Sequence, residues 1–227
     1  MNINKFIAQT GLTSRRGADE LIKAGKVKIN DKIALPIDKV NPGDSVFVNN
    51  KEIKQEEEKI YVAFNKPVGI ICTTDTKVKD NIISYIKYPK RIFPVGRLDV
   101  KSSGLILLTN DGELAQKILK GKKVEKEYLV YVDKTIDESF LNKLRSGVFI
   151  EGHKTLPAKA TKLSERHFSI TIVEGKKRQV RRMCEKYGFN VTKLQRIRIG
   201  NLELGELKEG KYIEIKPDEI EHLIGLK

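Results

Sequence analysis

The chain has 227 residues, of which 39% are hydrophobic and 33% are charged. This balance supports a core for one large domain plus a small one and excludes a disordered chain. The formal net charge of +14 favours a polyanionic partner over a merely soluble surface, because phosphates release counterions when basic side chains neutralise them.

The first fifty residues are predicted to form a compact unit of two helices and short strands. Apolar residues recur at helical spacing in segments that end at Gly11 and Gly25, and the strand-like segments are 27–29 and 46–48. The following residues, 51–58, are almost entirely charged or polar and offer little to bury. We therefore interpret them as a linker.

Residues 59–227 are predicted to form a larger domain that mixes helices and strands. The strand-like segments are 60–64, 91–95, 105–108, 128–132, 168–173 and 212–215. The helix-like segments are 113–119, 138–145, 179–187 and 218–224. Because the two element types do not alternate strictly, we expect an α+β fold on a mainly antiparallel or mixed sheet.

Half of the net positive charge lies in residues 174–198, which hold nine Lys or Arg against two Glu. Arg178, Arg182 and Lys186 recur every four residues along the helix predicted there, where they could follow a phosphate backbone. A solvated face is the alternative. Five basic residues within 176–182 favour contact with RNA.

Cysteine, histidine and apolar runs exclude several other classes of protein. The two cysteines, Cys72 and Cys184, are far apart and the three histidines are scattered, so neither a disulfide framework nor a metal site is predicted. No apolar run approaches the roughly 20 residues that cross a bilayer, and the start of the chain is not a signal region. We expect a cytoplasmic protein without membrane contact.

The amino-terminal stretches 4–8, 14–19 and 22–30 resemble the S-four (S4) RNA-binding domain. Two helices and a small sheet present a basic surface to structured RNA in that domain. The resemblance implies that residues 1–50 form such a domain. Its RNA-binding cations would be Arg15, Arg16, Lys23, Lys26 and Lys28, each of which taken alone could equally be a generic surface cation.

The segment 95–112 contains two motifs. Gly-Arg-Leu-Asp occupies residues 96–99, and Ser-x-Gly-Leu-x-Leu-Leu-Thr-Asn-Asp-Gly occupies residues 102–112. Together with the stretches 64–69, 126–130 and 175–183, this segment resembles the RsuA/RluB/RluE/RluF family of pseudouridine synthases. The resemblance covers nearly all of residues 59–227 and leans towards the RluF branch.

This resemblance implies an enzyme that breaks the glycosidic bond of a uridine in RNA, turns the uracil and rejoins it through carbon 5. Nothing is gained or lost, so we expect no cofactor and no metal. The reaction needs one positioned carboxylate near the ribose, which the resemblance assigns to Asp99. Whether Asp99 adds to the sugar or removes a ribose proton stays open, and an isolated Asp after a strand is otherwise a turn or cap residue.

The resemblance assigns further roles around Asp99. Arg97 would hold the extruded nucleotide or fill the gap that it leaves, with a structural salt bridge as the alternative. Tyr128 would stack on the uracil and take part in the late proton removal, unless it is a core tyrosine. Arg181 would pair with Asp99 and keep it ionised. The expected substrate-binding set also includes an apolar wall from Val180 and contacts from Lys66, Arg178 and Arg182.

We expect a monomer that binds ribosomal RNA and modifies one uridine, or very few, in 23S RNA of the large subunit. The anticodon arm of a tRNA is the alternative substrate. A non-catalytic ribosome-associated protein would leave the Gly-Arg-Leu-Asp motif unexplained. An RNA methyltransferase would need a Gly-rich S-adenosylmethionine site, which the sequence lacks.

Overall fold

A computed structural model describes residues 1–55, 58–120 and 124–225. The chain divides into two compact units. The first comprises Met1–Ile60, Tyr88–Ile92 and Asn110–Gly112, and the second comprises Tyr61–Lys87, Phe93–Thr109 and Glu113–Lys227. Within the described ranges, no helix has the length and apolar character needed to cross a membrane.

The first unit packs two helices, α1 (Ile3–Gln9) and α2 (Arg15–Lys23), with a small antiparallel sheet. The strands are β1 (Val27–Ile29), β2 (Lys32–Ile33), β3 (Val46–Val48) and β4 (Lys51–Ile53), in the order β2-β1-β3-β4. Ser14 caps α2 by accepting a hydrogen bond from the Gly17 amide at 3.0 Å. Both helices bury their apolar faces in one core with β1 and β3, as their apolar spacing predicts.

The expected linker at 51–58 needs correction at its start. Lys51–Ile53 form β4, in which Ile53 pairs with Val46 and Lys51 pairs with Val48. The charged residues of β4 are exposed, whereas Ile53 packs against the core of the first unit. Charge on an edge strand therefore resembled the composition of a linker. Residues 56 and 57 lie outside the described residues.

The second unit is built on a large sheet with helices against it. Its strands are β5 (Tyr61–Lys66), β6 (Phe93–Pro94), β7 (Ser103–Thr109), β8 (Lys126–Val132), β9 (Phe149–Ile150), β10 (His153–Lys154), β11 (Lys159–Ser164), β12 (His167–Ile172), β13 (Val191–Ile199), β14 (Leu202–Glu203) and β15 (Tyr212–Glu214). The remaining helices of the described chain are α3 (Ile82–Ile86), α4 (Gly112–Lys120), α5 (Glu138–Arg145), α6 (Gln179–Glu185) and α7 (Ile220–Leu223).

The large sheet is mixed. Its strand order is β11-β12-β8-β13-β7-β5-β15, with β14 added to β13 and β6 added to β7. The pairing of β13 with β7 is parallel, and the other pairings are antiparallel. The expected α+β fold on a mainly antiparallel or mixed sheet is confirmed.

The parallel junction between β7 and β13 depends on Gly104. Gly104 pairs with Arg196, and a Cβ built on Gly104 would lie 2.2 Å from the Arg196 carbonyl oxygen and 2.6 Å from its amide nitrogen. The φ angle of Gly104 is +104°, a conformation that L side chains rarely adopt. Only glycine therefore lets the two strands approach this closely.

Replacing Gly104 by alanine is expected to lower the free energy of unfolding by more than about 2 kcal/mol, because backbone atoms of β13 would have to move. Chemical denaturation measures the change. Gly112→Ala is the matched control, since a Cβ at Gly112 meets nothing within 4 Å, and it is expected to stay within about 0.5 kcal/mol of the wild type. Equal stability of the two variants would contradict the close approach.

Candidate active site

A cavity of about 570 Å³ lies within the second unit. Its walls come from the segment between β6 and β7, from β8 and β13, and from the first turn of α6 with the loop before it. Five of the predicted site residues line it together: Arg97, Asp99, Tyr128, Arg178 and Val180.

Asp99 lies half-buried in the turn that leads into β7. The amide of Ser102 donates to the Asp99 carbonyl oxygen at 2.9 Å, which closes the turn. The preceding residue, Leu98, is buried, and its amide donates to the Cys72 sulfur at 3.4 Å. On the other side, the amide of Gly69 donates to the Val100 carbonyl at 2.8 Å. Hydrogen bonds of the backbone on both sides of Asp99 therefore fix its position in the cavity wall.

Arg181 does not form the ion pair with Asp99 that was expected, and this prediction is corrected. Its guanidinium donates to the Lys101 carbonyl at 2.7 Å and to the Val191 carbonyl at 2.9 Å, with a longer contact of 3.4 Å to the Ser102 hydroxyl. Burial lowers the pKa of Arg181, and the through-space charge of Asp99 only opposes that shift. Because Arg181 is buried on α6, it fastens the residues that directly follow Asp99 to α6 and β13.

Tyr128 and Val180 form apolar parts of the cavity wall. Tyr128 is 8% exposed and lies opposite Ile170 of β12 and Arg196 of β13. Val180 is buried in the first turn of α6. An aromatic ring and a β-branched side chain at one cavity suit a flat ring such as a nucleobase.

Arg97 and Arg178 bring cations to the same cavity from opposite segments. Arg97 is exposed, so its guanidinium is accessible to a substrate at the surface of the protein. Arg178 precedes α6 with a left-handed backbone (φ 54°), and its guanidinium donates to Glu185 at 3.0 Å. The loop before α6 is held by Gln179, whose side chain bonds the Lys176 amide at 3.0 Å and Glu174 at 2.7 Å.

Lys66 is the second predicted site residue that needs correction. Its side chain is fully buried and donates to the carbonyls of Pro67 at 2.7 Å and Ile70 at 3.0 Å. Burial lowers the pKa of the Lys66 ammonium. Nearby negative charges, including that of Asp99, oppose this shift. Lys66 therefore contacts the protein backbone, and its burial leaves no exposed surface for the expected contact with the substrate.

Arg182 also lies outside the cavity lining. It forms an ion pair with Glu151 and is largely shielded from solvent. Arg198 is similarly bound by Glu125 at 3.2 Å and Glu127 at 2.9 Å. Two of the nine cations in residues 174–198 are therefore paired with acidic side chains distant in sequence, which a count of charges along the chain cannot show.

The motifs assigned no role to several cavity residues, among them Cys72, Lys126 and Arg196. Arg196 is only 4% exposed, and its Nε donates to the Leu105 carbonyl at 2.7 Å. Burial lowers the pKa of Lys126, and Arg196 lowers it further. Strand alternation is the sequence signal that could have identified Arg196. Arg196 lies on the same face of β13 as Leu194, and a cation on a buried face of a strand is rare unless it has a partner or a function.

The predicted RNA-binding cations of the first unit lie on α2, on the turn after it and on β1. Arg15, Arg16, Lys23 and Lys26 are exposed. Lys28 is half-buried, and its ammonium donates to the Asn50 side chain at 3.2 Å. We call these five residues the amino-terminal basic surface.

Two family models match the chain. The model of the RNA pseudouridylate synthases matches residues 60–186, and the model of the S4 domain matches residues 1–46. The expected resemblance to both families is thereby confirmed.

Named relatives agree with these matches. The chain is 45% identical over 229 residues to the dual-specificity RNA pseudouridine synthase RluF of Escherichia coli strain K12, covering 100% of this chain and 79% of the relative. It is 42% identical over 234 residues to the ribosomal large subunit pseudouridine synthase B of Bacillus subtilis strain 168, covering 99% and 96%.

A solved structure supports the same family assignment. The crystal structure of a pseudouridylate synthase matches with a TM-score of 0.72 and 34% identity, covering 97% of this chain and 98% of that chain. Since the family model matches more than half of the chain and both relatives cover nearly all of it, this chain belongs to the RNA pseudouridylate synthases and is an isomerase with an amino-terminal S4 domain.

Proposed function

We propose that this enzyme converts a specific uridine of large-subunit 23S ribosomal RNA to pseudouridine, with Asp99 as its catalytic residue. The observation that carries the proposal is the half-buried Asp99 of the Gly-Arg-Leu-Asp motif, in one cavity with Tyr128 and Val180. The choice of RNA is supported by the Bacillus subtilis relative, whose name refers to the large ribosomal subunit.

The reaction requires that a nucleotide leave its stack, since a stacked uridine hides its glycosidic bond. In this proposal the extruded uracil lies against Tyr128 and Val180, which exclude water from one side of the ring. The carboxylate of Asp99 meets the ribose, where the bond to N1 breaks and the bond to carbon 5 later forms. The exposed Arg97 holds the nucleotide at the mouth of the cavity or occupies the space that it vacates.

Arg181 supports this chemistry by positioning Asp99 rather than by touching the substrate. Its bonds to the Lys101 and Val191 carbonyls restrain the backbone two residues beyond Asp99. A small displacement of a reacting group lowers a rate strongly, because the productive geometry is narrow. Arg181 is therefore a positioning residue in this proposal.

RNA is bound through two parts of the chain. The amino-terminal basic surface and the exposed cations near α6 can hold two parts of one folded RNA, which raises the effective concentration of the target without new contacts. A cytoplasmic monomer is the form that we propose.

The proposal is tested by incubating the protein with unmodified transcripts of ribosomal RNA and tRNA. Pseudouridine is mapped by carbodiimide treatment and primer extension. Stops at one position or very few in large-subunit RNA are expected. Stops confined to an anticodon arm would favour the tRNA alternative, and the absence of stops in every RNA would favour a non-catalytic binding protein.

Asp99→Asn is expected to reduce single-turnover product formation on the order of a thousandfold or more, because the amide cannot act as nucleophile or base. Affinity for RNA, measured by filter binding, should stay within a few-fold of the wild-type value, since asparagine has nearly the same size and shape as aspartate. Activity close to that of the wild type would rule out Asp99 as the catalytic group.

Arg181→Ala is expected to lower kcat about a hundredfold with a smaller effect on KM, because the turn that carries Asp99 is no longer restrained. Arg181→Lys should recover little, since an ammonium cannot reach both carbonyls as the planar guanidinium does. Arg182→Ala is the matched control and should change kcat less than about twofold, because Arg182 pairs with Glu151 away from the cavity. Full recovery with lysine would instead show that the charge of Arg181 is what matters.

The double variant Arg15→Gln with Arg16→Gln is expected to weaken RNA binding and to flatten its salt dependence. The slope of log affinity against log salt concentration should fall by roughly one for each phosphate that an arginine neutralises. The rate at saturating enzyme should remain, because the cavity is untouched. Lys39→Gln removes another exposed cation of the first unit and serves as the control. An unchanged salt slope in the double variant would show that these arginines do not bind phosphate.

A further inference from the structure

Arg196 occupies an unusual position for a cation. It lies on β13 directly opposite Tyr128, so the two side chains project from the same face of the sheet. It is 4% exposed and lines the cavity that also holds Asp99. Burying a guanidinium at this depth has a cost in free energy unless its donors are satisfied.

The hydrogen bonds of Arg196 are incomplete. Its Nε donates to the Leu105 carbonyl at 2.7 Å, which fixes the direction of the side chain. Its Nη2 is buried and has no partner among the described residues. In the described part of the chain no acidic side chain forms an ion pair with Arg196, whereas Arg198 on the same strand is held by two glutamates.

A structural role explains the Nε bond but not the unpaired Nη2. Buried polar groups in folded proteins almost always have partners, and the exceptions call for a specific explanation. A ligand that brings an acceptor into the cavity provides one. The cavity that Arg196 lines also contains Tyr128, Leu194 and Ile172, an aromatic and apolar surface that suits a base, next to the cation Lys126.

We infer that Arg196 is a substrate-binding residue whose guanidinium donates a hydrogen bond to a ring carbonyl oxygen of the extruded uracil. The inference rests on the proposed function and adds the residue that recognises the base. Uracil offers two such oxygens, O2 and O4. A contact at O4 also discriminates against cytosine, which carries an amino donor at that position.

The same hydrogen bond serves the chemical step. When the bond from C1′ to N1 breaks, its electron pair stays on the uracil, and the negative charge spreads onto O2 and O4. A guanidinium already bonded to one of these oxygens stabilises that charge without reorganisation. The contribution of Arg196 should therefore appear mainly in kcat.

The test pairs changes in the enzyme with changes in the substrate. Single-turnover rates are measured for the mapped target RNA carrying uridine, 2-thiouridine or 4-thiouridine, since sulfur is a weaker acceptor than oxygen. Each RNA is used with the wild type, Arg196→Met, Arg196→Lys and the matched control Arg198→Met. Melting temperatures are recorded for every variant, and Arg196→Lys serves if the methionine variant does not fold.

With the uridine RNA, Arg196→Met should lower the rate about tenfold or more, the decrease expected when a hydrogen bond from a charged donor is removed. One of the two thio substitutions should slow the wild type and Arg198→Met, and this effect should be absent in Arg196→Met and smaller in Arg196→Lys, whose ammonium has a shorter reach. Sulfur also changes the base as a leaving group, but this intrinsic effect is the same for every enzyme variant. It therefore cancels when the ratio of the uridine rate to the thiouridine rate is compared between variants. A purely structural role of Arg196 would not produce this dependence on one substrate atom.

Equal thio effects in the wild type and in the Arg196 variants, at both ring positions, would overturn the inference while leaving the proposed function intact. Absence of pseudouridine from the uridine RNA with the wild-type enzyme would instead contradict the proposed function, and with it the role of Arg196.

Discussion

The close approach of β7 and β13 at Gly104 is the constraint on which the active site depends. It joins the antiparallel strands on the β8 side of the sheet to those on the β5 side through a parallel pair. Because the turn that carries Asp99 leads directly into β7, the same approach brings that turn next to β13 and to the helix that precedes it. The glycine of the Ser-x-Gly-Leu motif is thus a packing requirement that determines the position of the Asp99 carboxylate.

Around this junction, buried and half-buried cations bind backbone carbonyls instead of carboxylates. Lys66 holds the loop that follows β5, Arg181 holds the turn after Asp99, and Lys126 donates to the Val124 carbonyl at 2.9 Å. A carbonyl satisfies a cationic donor without neutralising it. The cavity therefore keeps an excess of positive charge near Asp99, where a negatively charged leaving group would form.

Local patterns predicted much of this architecture. The apolar spacing of 138–145 matched the bounds of α5, and the Gly-Arg-Leu-Asp motif led to the residue that lies in the cavity. The positions of Arg181 and Arg196 depend instead on partners far away in sequence. Arg181 reaches a carbonyl 80 positions earlier, and Arg196 reaches one 91 positions earlier. The burial of such cations follows from strand order, which the sequence pattern near each residue does not contain.

The buried cations have a consequence for the evolution of the fold. Each desolvated ammonium or guanidinium opposes folding, and apolar residues of similar volume commonly stabilise a protein at such positions. Selection for stability alone would therefore remove Arg181 and Arg196 from the protein interior. Their retention in the interior fits the usual relation between a preorganised site and the stability of the protein that carries it. Thermostable versions of this scaffold should be easiest to obtain by giving up the active site.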